Sequence, residues 1–332
     1  MIKKGKRRSA EVIETFARKN TRKLAATLRQ RAAWMYYVEE MTQNTIAEML
    51  GIGRVTVVRL LAEARAKNEV KISLRRDFTE LSELETALQR RFGLERAVVS
   101  PKSNNEADSS LTVGAAVGQM ISEIVKPEMM LGVGWGKTLL NSIPFIEEIE
   151  VPGLTVVSML GGISAIHRYN PTEFAWRFAE LLRADCYLIA APALVDSKET
   201  KKALIERCGI GPVFELAPKL DAVLLSVGHT LPTSTAWLFD VLSQEDRKSL
   251  IAAGAVGDVL FNFFNRDGKL IKHAINDRVM SVSIPQILKV PLRILASGGE
   301  EKVPALIGGL TLLRPHIFVT DEYAAKAILA AT

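Results

Sequence analysis

Six short apolar runs constrain this chain more than any other feature. They are 129-MMLGVG-134, 154-LTVVSML-160, 186-CYLIAAPA-193, 222-AVLLSVG-228, 292-LRILAS-297 and 317-IFVT-320. Each is continuous rather than alternating, so each predicts a strand buried on both faces. Between them lie amphipathic segments at helical spacing: 110-SLTVGAAVGQMISEIV-125, 138-TLLNSIPFIEEI-149, 172-TEFAWRFAELLR-183 and 234-STAWLFDVLSQEDRKSLIAAG-254. Strands alternating with helices predict an α/β body with a mostly parallel sheet over residues 94–332. Several of the runs end in glycine, at Gly132-Gly134-Gly136, Gly161-Gly162, Gly228 and Gly298-Gly299. In open α/β sheets ligands bind beyond the carboxyl ends of the strands, so these ends are expected to line one crevice.

The first 76 residues are of another kind. They hold 18 Lys and Arg against 7 Asp and Glu, a net of +11, whereas the remainder has a net of −5. A basic head on a mildly acidic body predicts a polyanion-binding module. Within it, 29-RQRAAWMYYVEEM-41 reads as an amphipathic helix in which Ala33, Tyr36, Tyr37 and Val38 recur. Thr42 then caps 43-QNTIAEMLGIGRVTVVRLLAEA-64, which has the register of a helix-turn-helix. Ala47 is small where two helices approach, and Gly51 stands at the turn where a positive φ is wanted. Ile46, Leu50, Ile52, Val57 and Leu60 take the inward positions. The second helix leaves Arg54, Val55, Thr56 and Arg59 outward, types suited to base edges and phosphates in a major groove, and Thr45 completes the expected DNA-facing set. Arg22, Lys23 and Arg31 could add phosphate contacts. The run 69-EVKISL-74 predicts a short strand, the edge of a wing. Residues 77–93 predict a linker helix with Leu81, Leu84 and Leu88 on one stripe, packed either on a second copy or on its own body.

Other classes are set aside on composition. No apolar run approaches the roughly 18 residues a membrane span needs, and no secretory leader follows the basic N-terminus. Cys186 and Cys208 lack a CxxC partner and read as reduced core thiols of a cytoplasmic protein. The four histidines are scattered, so no metal site is expected.

The loop 130-MLGVGWGKTLL-140 invites a nucleotide reading and fails it. Gly132 and Gly136 enclose three residues where a Walker A loop has four, and Lys137 stands where a dinucleotide loop needs its third glycine. What remains is a strand, a glycine turn and a helix start, a geometry that favours an anion. Lys137 and Thr138 add an ammonium and a hydroxyl, which suits a small phosphate ester. Asp258, in 254-GAVGDVLFNFFNRDGK-269, sits between apolar residues, where a carboxylate must accept hydrogen bonds from a hydroxyl-rich ligand or from backbone. Lys302, in 297-SGGEEKVPAL-306, is a second candidate cation.

Together, 42-TQNTIAEMLGIGRVTVVRLLAEAR-65, 132-GVGWGKT-138, 254-GAVGDVLFNFFNRDG-268 and 296-ASGGEEKVPAL-306 resemble the SorC family of bacterial sugar-responsive transcriptional regulators over nearly the whole chain. The resemblance implies a body similar in fold to sugar-phosphate isomerases and deaminases without being an enzyme, and no cofactor. It implies an operator-binding homo-oligomer, a tetramer, that controls a catabolic operon in response to a phosphorylated sugar or polyol. It places the effector phosphate at Gly134, Gly136, Lys137 and Thr138 with Lys302 nearby, the hydroxyl-reading carboxylate at Asp258, and another pocket edge at Gly161 and Gly162. In 163-ISAIHRYNPTEF-174, His167, Arg168 and Asn170 are further candidate contacts. The alternative is a sugar-phosphate isomerase or deaminase with a basic appendage, which would need a general base beside the sugar. Asp258 has no second carboxylate or histidine cooperating with it in the sequence.

Overall fold

The computed structural model of the protein describes residues 25–67, 69–70, 79–102, 109–163, 170–234 and 241–332. It comprises two compact units that divide between Leu74 and Arg75; each is described by itself.

Among the described residues the smaller unit holds three helices: α1 over 25–37, α2 at Gln43–Leu50 and α3 at Arg54–Ala66. The Thr42 side chain accepts a hydrogen bond from the Thr45 amide at 3.2 Å, capping α2. Gly51 ends the helix at φ 64°, and its amide reaches back to the Ala47 and Glu48 carbonyls. That left-handed closure is the one a glycine makes at least strain. Ile46, Ala47, Val57 and Leu60 are buried with Ala32, Ala33, Met35, Leu61 and Ala64, while Leu50 and Ile52 pack at the margin. α1 ends earlier than its apolar pattern predicts. It ends at residue 37, Val38 is exposed, and Glu40 adopts φ 55°. Its inward residues are Ala32, Ala33 and Met35 rather than Val38. Arg29, buried on α1, pairs with Glu69 and lies 3.8 Å from Glu63. The pair holds the Glu69 carboxyl below its ordinary range and raises Arg29. Only 69–70 of the expected wing strand fall among the described residues, and Arg22 and Lys23 lie outside them.

The larger unit is built on seven parallel strands in the order β1-β10-β9-β5-β2-β3-β4. These are β1 Arg96–Ser100, β2 Met130–Val133, β3 Thr155–Ser158, β4 Asp185–Tyr187, β5 Ala222–Leu225, β9 Leu292–Ala296 and β10 Ile317–Asp321. All six expected strands are present, and β1, which opens on a charged Arg96, joins them beside β10. A three-stranded antiparallel sheet, β6 Gly228–His229, β7 Gly257–Val259 and β8 Asn262–Phe264, stands apart.

Two hydrophobic clusters share the strands' alternate side chains. One receives α5 (Ser109–Ile124) and α7 (Pro171–Leu181). The other receives the small sheet, the helices Val303–Leu313 and Glu322–Ala331, and α4 (Thr79–Phe92) through Leu81 and Leu88. Glu85 of α4 also accepts the Val99 amide at 2.8 Å. Of the two possibilities for this helix, packing on its own body is the one observed.

Three expectations need correction. The 138–149 segment is not one helix: a four-residue helix, α6 (Lys137–Leu140), gives way to a 3-10 turn at Ile143–Phe145, because Pro144 has no amide to continue the ladder. The helical reading of 234–254 reduces to Gln244–Ala252, capped by Ser243, with 235–240 outside the described residues. Cys186 is half-buried, its thiol pushed up to about 11 by burial, but Cys208 is exposed and is no core thiol. Among the described residues no helix is long and apolar enough to cross a membrane, and no His, Cys, Asp and Glu cluster could hold a metal.

Candidate functional site

A cavity of about 340 Å³ opens beyond the carboxyl ends of β2 and β5. One wall is the glycine loop. The Gly134 amide donates to the Leu224 carbonyl at 2.8 Å, fastening the end of β2 to β5, so Gly134 supports the wall and is absent from the lining. Gly136 then turns at φ 125°, a value side chains resist, and a Cβ built on it would stand 3.9 Å from Ser226. Lys137 and Thr138 follow on α6 and both line the cavity. Because α6 has only four residues, its dipole is weak; the electropositive character of this wall rests on Lys137 and, across the cavity, Lys302.

Asp258 lines the same cavity, 3 % exposed, on β7 opposite Gly228. Gly228 has to be glycine, since a Cβ there would fall on the Asp258 carboxylate. Asp258 Oδ2 accepts the Phe261 amide at 3.0 Å. Burial pushes its carboxyl up to about 6, partly opposed by that amide and by Lys302. His229, next along β6, is held down to about 4 by burial and by the Lys302 charge, so its ring is neutral at pH 7. Its Nδ1 accepts the Leu231 amide at 3.2 Å, which assigns the ring proton to Nε2.

The hairpin between β7 and β8 turns on Leu260 and Phe261, both at positive φ (52° and 58°) and both buried. Each left-handed non-glycine residue costs about 1–2 kcal/mol. Three contacts hold the turn in place. Asp258 takes the Phe261 amide, the Asn262 side-chain amide donates to the Val259 and Leu260 carbonyls, and the Phe261 ring stacks on Trp135 at 5.4 Å. Trp135 belongs to the glycine loop, so the stack joins the wall bearing Asp258 to the wall bearing Lys137.

Lys302 is placed by a third turn. Gly299 adopts φ 105° and its amide donates to Asp321 Oδ2 at 2.7 Å; Asp321 Oδ1 accepts the Ala324 amide. Ser297 Oγ donates to the Val227 carbonyl at 3.2 Å, tying this turn to the end of β5.

Gly161 and Gly162 are not among the cavity lining. Their amides donate to the Met280 and Ala191 carbonyls, and a Cβ on Gly161 would meet the Ala191 carbonyl oxygen at 2.5 Å. Gly161 is glycine because backbones cross there, whereas a Cβ on Gly162 would only touch the Thr172 side chain at 3.4 Å. Asn170 caps α7, accepting the Thr172 amide and donating to Ile163, while His167 and Arg168 lie outside the described residues. In the head, Thr45, Arg54, Val55 and Arg59 are exposed and Thr56 is half-buried. Val55, 83 % exposed, is an apolar side chain that the head's own core does not use.

Residues 76–330 match the family described as "Putative sugar-binding domain". The fold is that of the full-length sorbitol operon regulator SorC from Klebsiella pneumoniae, with a TM-score of 0.72 and 25 % identity, covering 91 % of this chain and 98 % of that one. The chain belongs to the SorC family. As a SorC-family protein it is a regulator and not an enzyme. It is 27 % identical over 305 residues to the erythritol catabolism regulatory protein EryD of Brucella abortus, spanning 91 % of this chain and 96 % of that protein. It is 29 % identical over 301 residues to the deoxyribonucleoside regulator of Bacillus subtilis, spanning 90 % and 96 %.

Within this SorC-family chain, the cavity gathers Gly136, Lys137, Thr138, Asp258 and Lys302 from the expected set and leaves out Gly134, Gly161 and Gly162. Its further lining includes Ser226, His229, Ser234 and a second carboxylate, Glu301, which sequence reasoning missed. A signal for the first two was present, since 226-SVGH-229 closes an apolar strand of the same kind as the one before the glycine loop. Ser234 had none.

Proposed function

We propose that the cavity binds a phosphorylated sugar or polyol, and that this binding governs how the head holds operator DNA. The observation that carries the reading is the convergence of Lys137, Thr138, Lys302 and Asp258 on one cavity at the strand ends. Two ammonium groups suit a phosphate, and a buried carboxylate suits a hydroxyl. The relatives named for erythritol catabolism and the sorbitol operon support a polyol or sugar as the ligand class. On the head, α3 would enter the major groove with Arg54, Val55, Thr56 and Arg59, and Thr45 would touch the backbone. Control is differential: the ligand shifts DNA affinity only by its preference between two arrangements of the protein. We assign the chain the role of a repressor of a carbohydrate or polyol operon, acting in the cytoplasm as a homo-tetramer. In this reading 1–76 is the DNA-binding domain, with a wing after α3, and 94–332 is the effector-binding and oligomerisation domain, of the sugar-phosphate isomerase type.

Footprinting and ligand binding on one preparation test this assignment. Arg54→Ala and Arg59→Ala are each expected to abolish the specific footprint while thermal-shift responses to ligand persist. An unchanged footprint in both variants defeats the assignment of α3. A free sugar that stabilises the protein as well as its phosphate ester defeats the role given to Lys137.

A further inference from the structure

The lining of the cavity contains one buried polar atom that the protein leaves unmatched. Ser234 is 1 % exposed, and its Oγ has no hydrogen-bond partner among the described residues. A buried hydroxyl in that condition is destabilising, so its place in a cavity lining points to a ligand.

Its position says which part of a ligand it meets. A Cβ built on Gly228 would fall on Asp258 Oδ1 and would stand 3.7 Å from Ser234 Oγ. The two oxygens therefore flank one point and are no more than about 6 Å apart. That separation lets each take one of two hydroxyls on adjacent carbons. The carboxylate can only accept when ionised, whereas the serine hydroxyl can both accept and donate. A vicinal diol is the simplest group that uses both. The anion-binding wall lies at a fixed remove: Gly136 faces Ser226, and Gly228 is two residues further along, a step of roughly 7 Å at full extension. The ligand then has its phosphate at Lys137 and its diol at Asp258 and Ser234, with a short carbon chain between.

We propose that Ser234 is a specificity-determining residue that, with Asp258, reads a vicinal diol, so that the effector is a phosphorylated polyol or sugar retaining adjacent hydroxyls and not a deoxy analogue. This rests on the reading of the cavity as a sugar-phosphate site. The unmatched hydroxyl also explains why a serine here differs from the many capping serines of the chain: Ser197 and Ser243 accept from amides of their own helices, and Ser234 Oγ does not.

Calorimetry on the full chain tests it, with erythritol 4-phosphate, its deoxy analogue 4-hydroxybutyl phosphate and inorganic phosphate as probes against wild type, Ser234→Ala and Lys137→Ala. The expected result is that wild type binds the polyol phosphate at least tenfold more tightly than the deoxy ester. Ser234→Ala is expected to weaken the polyol phosphate about tenfold and to leave the deoxy ester and inorganic phosphate within about twofold. Because the variant removes an unmatched hydroxyl, its unliganded melting temperature should not fall. If Ser234→Ala weakens all three probes alike, or none, the diol role is overturned while the phosphate site stands, provided Lys137→Ala still abolishes inorganic phosphate binding. If wild type binds none of the probes, or Lys137→Ala changes nothing, the sugar-phosphate reading itself falls and takes the diol with it.

Discussion

Two glycine turns in the body look alike as sequence and do opposite things. At 134–138 the chain leaves β2, fastens one amide to β5, and presents Lys137 and Thr138 to the cavity. At 161–162 it leaves β3 and commits both amides to the Met280 and Ala191 carbonyls. The first turn opens on a cavity; the second is a backbone crossing too close for a side chain at Gly161. Glycine at a strand end therefore marks a close approach of something, and only the neighbouring carbonyls say whether that something is ligand or chain.

The contrast can be broken at three points. The largest effect is expected from Gly161→Val, because its Cβ would run into the Ala191 and Pro192 carbonyl oxygens, which are backbone and cannot swing aside. We expect a loss of about 3 kcal/mol or more in urea unfolding, with ligand affinity of the folded fraction unchanged. A large loss of affinity in the folded fraction would put this turn back in the site.

Asp258 gives an intermediate effect with a definite sign. Its folded carboxyl is raised to about 6 from an ordinary 3.8, so the folded state holds the proton more tightly than the unfolded chain. Its contribution to stability is accordingly greatest below about pH 4, declines as pH rises through about 6, and is level above that. The decline amounts to about 2–3 kcal/mol. Asp258→Asn should abolish that slope, so the difference in unfolding free energy between the two proteins should itself change between pH 4 and 7. Parallel curves for the two proteins would show that the buried carboxyl is not raised. The smallest effect on folding belongs to Lys137→Ala. Stability should stay within about 0.5 kcal/mol, while phosphate-ester affinity falls at least tenfold, about 1.4 kcal/mol. Loss of stability with retained affinity would reverse the roles of the two turns.

How much of this was readable beforehand follows from where each signal lives. Strands apolar on both faces announce themselves locally, so β2, β3, β5, β9 and β10 fall where the runs are. The Thr42 cap and the Gly51 turn are equally local, resting on residues a few positions apart. β4 was overestimated because only 185–187 pair with β3, after which Pro192 and Gly162 form an isolated bridge. Asp258 was legible because a carboxylate among apolar neighbours requires an explanation. Ser234 was not, because its meaning depends on Gly228 and Asp258 meeting in space; for His229 the sequence marks only its place at the end of an apolar strand. Gly134, Gly161 and Gly162 fall outside the cavity lining for the same reason in reverse. Their partners Leu224, Met280 and Ala191 are carbonyls that no side-chain pattern encodes.

The Leu260-Phe261 turn has an evolutionary corollary. Glycine at 261 would relax the backbone but empty the space against Trp135, and a smaller residue at 135 would leave Phe261 strained with nothing to stack on. Both changes lose the same stack, so their costs overlap. Positions 135 and 261 are thus predicted to be coupled in descent: once either ring is lost, the other is no longer held by the stack and is freer to drift.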